Sequence, residues 1–280
     1  LKGEREKRKS IAEDTLEILK KGYFISPNGD KIDIKRTQDF AESNTMVYTP
    51  EASDKLIESK VETKFPKPAD IIVNELSTLE ATREMIDTGY KNVVCLNFAS
   101  AKNPGGGFLG GSQAQEESIA RSTGLYNCLL NGSEYYQANK KYGSCFYTDY
   151  MIYAPKVPII KDDAGNNLEE LYTTGIITAP AVNTGVVSKQ EKKNLGKVEG
   201  VMKRRIKKVL AIAANNGHAA IILGAWGCGV FRNDPNDIAR YFHEVIEEDY
   251  RYSFKKIVFA VYSRNERFIN PFYKLFYGGV

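Results

Sequence analysis

The sequence is poor in the residues on which most metal and serine-triad chemistry depends. It holds only two histidines, His218 and His243, in separate segments. That count disfavours both a histidine-based zinc site and a serine–histidine–acid triad. Its four cysteines, Cys95, Cys128, Cys145 and Cys228, form no C-x-x-C pair. Cys95 falls in an apolar run and Cys128 in a helical pattern, which reads as buried thiols rather than a disulfide framework. No run of about 18 apolar residues occurs, so no membrane span is expected. No secretory signal is read, and unpaired thiols predict a reducing, cytoplasmic setting. An excess of one charge is lacking too, since 39 Lys and Arg against 35 Asp and Glu leave +4. That is a weak preference for anionic ligands and no case for nucleic acid. Internal repeats and low-complexity linkers are also missing. At 280 residues and 42% hydrophobic content, the chain reads as one α/β domain with an N-terminal extension.

What is present is an alternation of apolar strands, glycine loops and helices. Apolar spacing places a helix over 10–22, with 1–9 as a charged, frayed or solvated start. Segments 23–25 and 31–34 flank the turn Ser26-Pro27-Asn28-Gly29-Asp30 as a hairpin. A short strand is expected at 45–48 and a short helix at 53–59. After a buried strand at 71–74, Ser77-Thr78-Leu79-Glu80 forms a capping box for a helix to Asp87, with Gly89 as its stop. The next strand, 93–98, follows by short links, which predicts parallel pairing with 71–74. A helix over 115–130, strands at 147–154 and 172–179, and a basic helix over 192–215 come next. A strand at 220–223, a helix opened by Asp234-Pro235, a strand at 257–261 and a terminal helix from Asn270 complete the order.

Two glycine-rich segments each follow a buried strand and precede a helix. The first carries Gly105, Gly106, Gly107, Gly110 and Gly111, then Gln115, Glu116 and Glu117 at a helix start. The second is Gly224-Ala225-Trp226-Gly227-Cys228-Gly229-Val230-Phe231. Glycine lets backbone amides approach a ligand, and the free N–H groups of a helix start point at negative charge. Ligands of open α/β sheets sit beyond the carboxyl ends of the strands, so two such loops at one edge can enclose a diphosphate. Neither loop continues as Gly-Lys-Ser/Thr or as a dinucleotide fingerprint, which disfavours a nucleoside triphosphatase or a dehydrogenase.

Gly105-Gly106-Gly107, seven residues from Phe108 to Ala114, then Gln115-Glu116-Glu117 resembles the signature of poly(ADP-ribose) glycohydrolases. The preceding Asn97-Phe98-Ala99-Ser100-Ala101-Lys102-Asn103-Pro104 is similar to the bacterial-type branch, a macrodomain family. Arg8-Lys9-Ser10-Ile11-Ala12-Glu13-Asp14-Thr15 resembles the opening helix of the same branch. The resemblance implies a macrodomain-like three-layer α/β/α fold with a mixed central sheet and a helical and stranded N-terminal extension. The expected division is an accessory segment 1–69, a core at about 70–265, and a C-terminal helix at 266–280.

By resemblance, Glu117 is the catalytic acid/base, Glu116 holds the ribose hydroxyls, and Gln115 orients the loop or the ribose. Asn103 lies beside the distal ribose, and Phe231 packs on it. Val230 and the amides of Gly227, Cys228 and Gly229 line the diphosphate. Asn183 either faces the ligand or serves its own loop. There Ala179-Pro180-Ala181-Val182-Asn183 has valine where the family pattern has a second proline. Cleaving an O-glycosidic bond needs a proton for the leaving oxygen and stabilisation of an oxocarbenium-like transition state, which carboxyls supply. Glu116 and Glu117 are adjacent, so on a helix they diverge by about 100° and cannot share one task. The plainer reading of the pair is favourable charge at a helix N-terminus; the glycine loop argues against it. A helix start lowers a glutamate pKa while burial and a neighbouring acid raise it, and the sequence leaves that balance open.

Four further features stay two-sided. Phe231 is a ribose platform or core, and Trp226 reads as core rather than platform. Lys203-Arg204-Arg205-Ile206-Lys207-Lys208 reads as a solvated helix face, with a polyanion-binding stripe as the alternative. The aromatic segment Asn270–Phe276 is a lid over the terminal ribose, restricting cutting to chain ends, or ordinary helix packing. The expected activity is hydrolysis of poly(ADP-ribose) to ADP-ribose, for which the resemblance implies no metal and no organic cofactor. Its rivals are removal of single ADP-ribose units from modified protein or nucleic acid, and a non-catalytic reader.

Overall fold

The computed structural model describes residues 2–59 and 64–277. Helix α1 (Lys2–Lys21) leads into the hairpin β1 (Tyr23–Ile25) and β2 (Lys31–Asp33). Helix α2 (Lys35–Ser43), strand β3 (Met46–Tyr48) and helix α3 (Pro50–Glu58) complete the N-terminal part. Strand β4 (Asp70–Asn74), helix α4 (Thr78–Asp87) and strand β5 (Val93–Phe98) follow, and the Ser77–Glu80 capping box is present. Helices α5 (Gln115–Ser122), α6 (Leu125–Leu130) and α7 (Ser133–Lys141) precede the long hairpin β6 (Met151–Lys161) and β7 (Asn167–Ala179). The remainder is α8 (Thr184–Gln190), a 3-10 turn over Lys192–Lys197, α9 (Val198–Asn215), β8 (Ala220–Leu223), α10 (Pro235–Val245) with a π turn at Ile246–Tyr250, β9 (Lys256–Ala260) and α11 (Glu266–Tyr277).

Seven strands form one mixed sheet in the order β3-β6-β7-β5-β8-β9-β4. β3, β6 and β7 pair antiparallel in turn, while β7, β5, β8, β9 and β4 run parallel. Alternation along each strand feeds two cores. Leu96, Ile177, Ile221 and Phe259 pack with α9, α10 and α11 on one face; Val93, Cys95, Ile222 and Val258 pack with residues of α4, α5, α6 and α7 on the other. The result is a three-layer α/β/α arrangement. Because the five strands are parallel, their carboxyl ends share one edge, and the loops after Phe98, Ala179, Leu223 and Ala260 emerge there together. β3, from the segment before residue 70, is an edge strand of this same sheet.

Several expectations are corrected. β4 pairs with β9 rather than β5, because β8 and β9 insert between them. The helix expected over 115–130 breaks at Thr123, whose extended backbone bridges to Ile159, while Gln38 fills the space beside Gly124. The helix expected from Lys192 opens as a 3-10 turn, and its α-helical part starts at Val198. α11 starts at Glu266, where Asn265 Oδ1 accepts the Arg267 amide, and Pro271 lies inside it. α2 and α7 were not expected; neither has a side-chain N-cap to announce it.

The basic run is not a solvated face. Arg205 and Lys208 are buried; Arg205 holds Asp149 at 2.9 Å and Lys208 holds Asp54 at 2.9 Å. Lys203, Arg204 and Lys207 also meet carboxylates, those of Glu199, Asp149 and Asp249. A row of cations so neutralised is a poor polyanion stripe. The aromatic residues of α11 go into packing: Phe272 is buried, and Phe276 stacks on Phe259 at 4.5 Å. Trp226 is fully buried against Phe242, as the core reading expects.

Candidate active site

The first glycine loop leaves the end of β5 and returns at α5. Gly105 and Gly106 take φ of +70° and +60°. A Cβ on Gly106 would lie 2.5 Å from Glu117 Oε1 and 3.3 Å from Glu116 Oε2, so only glycine lets the loop backbone come so close to both carboxyls. The Gly107 amide donates to Glu117 Oε1 at 3.0 Å, and Glu117 is half-buried. Glu116 is buried; it accepts from the Ser100 amide at 2.6 Å and from Asn97 Nδ2 at 3.2 Å. Burial pushes its carboxyl up to about 8, with the Glu117 charge adding to the rise and the Ser100 and Asn97 donors opposing it. For Glu116, then, burial outweighs the helix start. The two acids diverge as adjacent helical residues must, one inward and one toward the loop.

Gln115 turns to the scaffold. Its Oε1 accepts the Phe98 amide at 2.7 Å, and its Nε2 donates to Leu96 O at 2.8 Å and Thr78 Oγ1 at 3.0 Å. It therefore orients the first turn of α5 on the end of β5. Asn103 opens the turn: its amide donates to Ser100 Oγ at 3.1 Å, its carbonyl accepts from Gly106, and its side chain is exposed. The expected anion-facing amides of this loop are mostly engaged internally. Gly106 donates to Asn103 O, Gly107 to Glu117, Gly110 to Gly107 O and Gly111 to Phe108 O.

The second loop differs. The Cys228 amide closes a turn on Ala225 O at 3.2 Å, so it is not free for a ligand, and the thiol is buried. The amides of Gly227, Gly229, Val230 and Phe231 find no acceptor among the described residues. Val230 is 83% exposed and nothing lies near Gly229. Phe231 is half-buried, with its ring 5.9 Å from that of Tyr147. Tyr147 itself and Arg232, next to Phe231, hold left-handed backbone at φ 57° and 56°, as does Lys156 within β6 at φ 48°. Asn233 pins the loop base through Nδ2 to Val182 O at 2.8 Å and Gly227 O at 3.0 Å, and accepts from Thr184 at 2.6 Å. Asn183 caps α8 by accepting the Val186 amide at 3.2 Å, which serves its own loop.

Sequence reasoning passed over Asn97, Ser100, Tyr147 and Asn233. Asn97 carried a signal: a polar residue inside an apolar strand must find partners. Among the described residues no group of three or more His, Cys, Asp or Glu is arranged to hold a metal ion.

The chain matches the family model described as the microbial-type PARG catalytic domain over residues 12–162. It is similar to the poly(ADP-ribose) glycohydrolase structure from Thermomonospora curvata, at 37% identity and TM-score 0.93, over 96% of this chain and 99% of that one. A structure of the Thermomonospora enzyme bound to the inhibitor ADP-HPD matches with TM-score 0.89 at 37% identity, over 95% of this chain and 98% of that one. The Deinococcus radiodurans glycohydrolase in complex with ADP-ribose matches at 38% identity and TM-score 0.83, over 87% of this chain and 98% of that one. No curated protein matches the sequence. With half of the chain inside the family model and nearly all of it shared with solved glycohydrolases, the chain belongs to the microbial-type poly(ADP-ribose) glycohydrolases and has their macrodomain-like fold.

Proposed function

We propose that this chain hydrolyses the ribose–ribose O-glycosidic bond of poly(ADP-ribose) and releases ADP-ribose, with Glu117 as the acid. The observation that carries the assignment is the Gly105–Gly107 turn, whose missing side chains let its backbone sit against both carboxyls. Glu117 protonates the departing ribose oxygen, and water then attacks the anomeric carbon of the oxocarbenium-like sugar. Glu116, neutral or charged according to pH, exchanges hydrogen bonds with the ribose hydroxyls. The free amides of Gly227, Gly229, Val230 and Phe231 receive the diphosphate, and Phe231 packs on the ribose. Helix α1, from the accessory segment, braces this site within a single domain. The four unpaired cysteines suit a cytoplasmic setting, and no helix among the described residues is long and apolar enough to cross a membrane.

Glu117→Gln tests the acid. The amide keeps the shape and cannot serve as the acid, so turnover should fall roughly 10²–10⁴-fold while calorimetric ADP-ribose affinity holds. Wild-type turnover in this variant would remove Glu117 from the role. Product analysis on polymer against mono-modified protein separates the glycohydrolase from a mono-ADP-ribosyl hydrolase.

A further inference from the structure

The carbonyls of three successive residues on the far limb of the first glycine loop are each held by a different arginine. Arg5 Nε donates to Gly110 O at 2.8 Å, Arg8 Nε to Gly111 O at 2.8 Å, and one terminal guanidinium nitrogen of Arg121 to Ser112 O at 2.7 Å. A trans peptide points its carbonyl and the next residue's N–H in opposite directions. The same peptide units therefore aim the Gly111 and Ser112 amides back into the loop, at Phe108 O (3.0 Å) and Gly107 O (3.1 Å). Gly107 is then held at both ends, since its carbonyl takes the Gly110 and Ser112 amides and its own amide holds Glu117 Oε1. Two more features fix the limb to α1: Gly111 packs so closely on the Arg5 backbone that any side chain there would clash with its carbonyl, and Phe108 is buried with Ala12 and Ala120.

We propose that Arg5, Arg8 and Arg121 are positioning residues that set the Glu117 carboxyl through the 107–112 backbone. The proposal rests on Glu117 being the acid. Arg5 and Arg8 come from the segment before residue 12, where the family match begins. None of the three need touch substrate. Their hydrogen bonds are charge-assisted and directional, which suits guanidinium rather than ammonium. The ligand-facing amides of the second loop are not linked to them, so affinity and turnover should separate.

The test uses the full chain with Arg5 and Arg8 both changed to Ala, and separately Arg121→Lys. Turnover on polymer is normalised to ADP-ribose-binding stoichiometry, so that only folded molecules are counted. In the double variant kcat should fall on the order of tenfold while KM and ADP-ribose affinity stay within about twofold. Arg121→Lys should show the same split more weakly. Arg8→Lys, which keeps one donor, should recover part of what Arg8→Ala loses. Unchanged kcat, or an equal loss of kcat and affinity, would overturn the proposal. Should the double variant not fold, Arg5→Ala alone, at an exposed side chain, should show the same split, and the same two results would overturn it. Glu117→Gln run in parallel keeps the two readings apart. If it retains turnover the acid assignment fails; if it loses turnover and the arginine variants do not, only the positioning role fails.

Discussion

The two glycine loops lie at one edge of one sheet and are built to opposite ends. In the first, glycine makes room for carboxyls, and the loop amides close on the loop itself or on Glu117. Its outer limb is held by α1 and α5. In the second, a pinned base at Asn233 carries a tip where Val230 is 83% exposed and four amides lack protein partners among the described residues. The difference separates two tasks that a shared glycine content conceals. On the proposed roles, one loop fixes the reacting group in advance and the other presents donors for an incoming anion. Preorganisation matters most where a carboxyl must meet a leaving atom.

The sharpest way to break this division is Gly106→Val. At φ +60° a valine is strained, and its Cβ would lie 2.5 Å from Glu117 Oε1. Turnover should fall toward the loss expected for removing the acid, roughly 10²–10⁴-fold, and by more than ADP-ribose affinity measured by calorimetry. An affinity loss as large as the turnover loss would mean that the first loop, too, is a diphosphate cradle.

Glu116→Gln sharpens the contrast through pH. The folded-state pKa of about 8 stands above the ordinary glutamate value of 4.5, so the folded protein holds the proton more tightly than the unfolded chain. Stability from this group is full below pH 4.5 and is lost as pH rises to about 8. The shift, 8 minus 4.5, is worth at most roughly 4–5 kcal/mol. Wild type should therefore melt lower at pH 9 than at pH 5 by more than the variant does. Parallel melting curves for the two proteins across that range would show that Glu116 is not held neutral by burial.

Smaller effects separate base from tip in the second loop. Gly227→Ala places a Cβ 2.6 Å from both Ala181 Cβ and Asn233 Nδ2 at a φ of +72° and should cost roughly 1–3 kcal/mol in chemical denaturation. Gly229→Ala meets nothing within 4 Å and should stay within about 0.5 kcal/mol of wild type. Equal costs at the two positions would deny that the tip is open.

What could be read in advance was local. The strand–glycine–helix order, the Ser77–Glu80 box and the turn at Ser26–Asp30 are written in adjacent residues, and each took the expected form. What could not be read depended on distant partners. Nothing in Lys203–Lys208 says that Asp149 and Asp54 will meet its charges, or that Arg205 will be buried. Nothing near Thr123 announces that Ile159 will break the helix. Glycine content alone could not tell a loop that holds a carboxyl from one that presents amides, because that depends on where α1 lies.

The bonds from α1 to the first loop join residues 105 and 103 positions apart. Closing a chain segment of that length is entropically slow, whereas the neighbouring turns of the loop and α5 close within a few residues. Refolding should therefore recover the locally closed helices before Glu117 is fully seated, since the sheet's own pairings, such as Asp70 with Lys256, are also between distant residues. In a stopped refolding experiment, recovery of the circular dichroism signal should precede recovery of hydrolysis, and the interval should shrink when the arginines of α1 are removed and the slow docking step no longer matters to the residual rate.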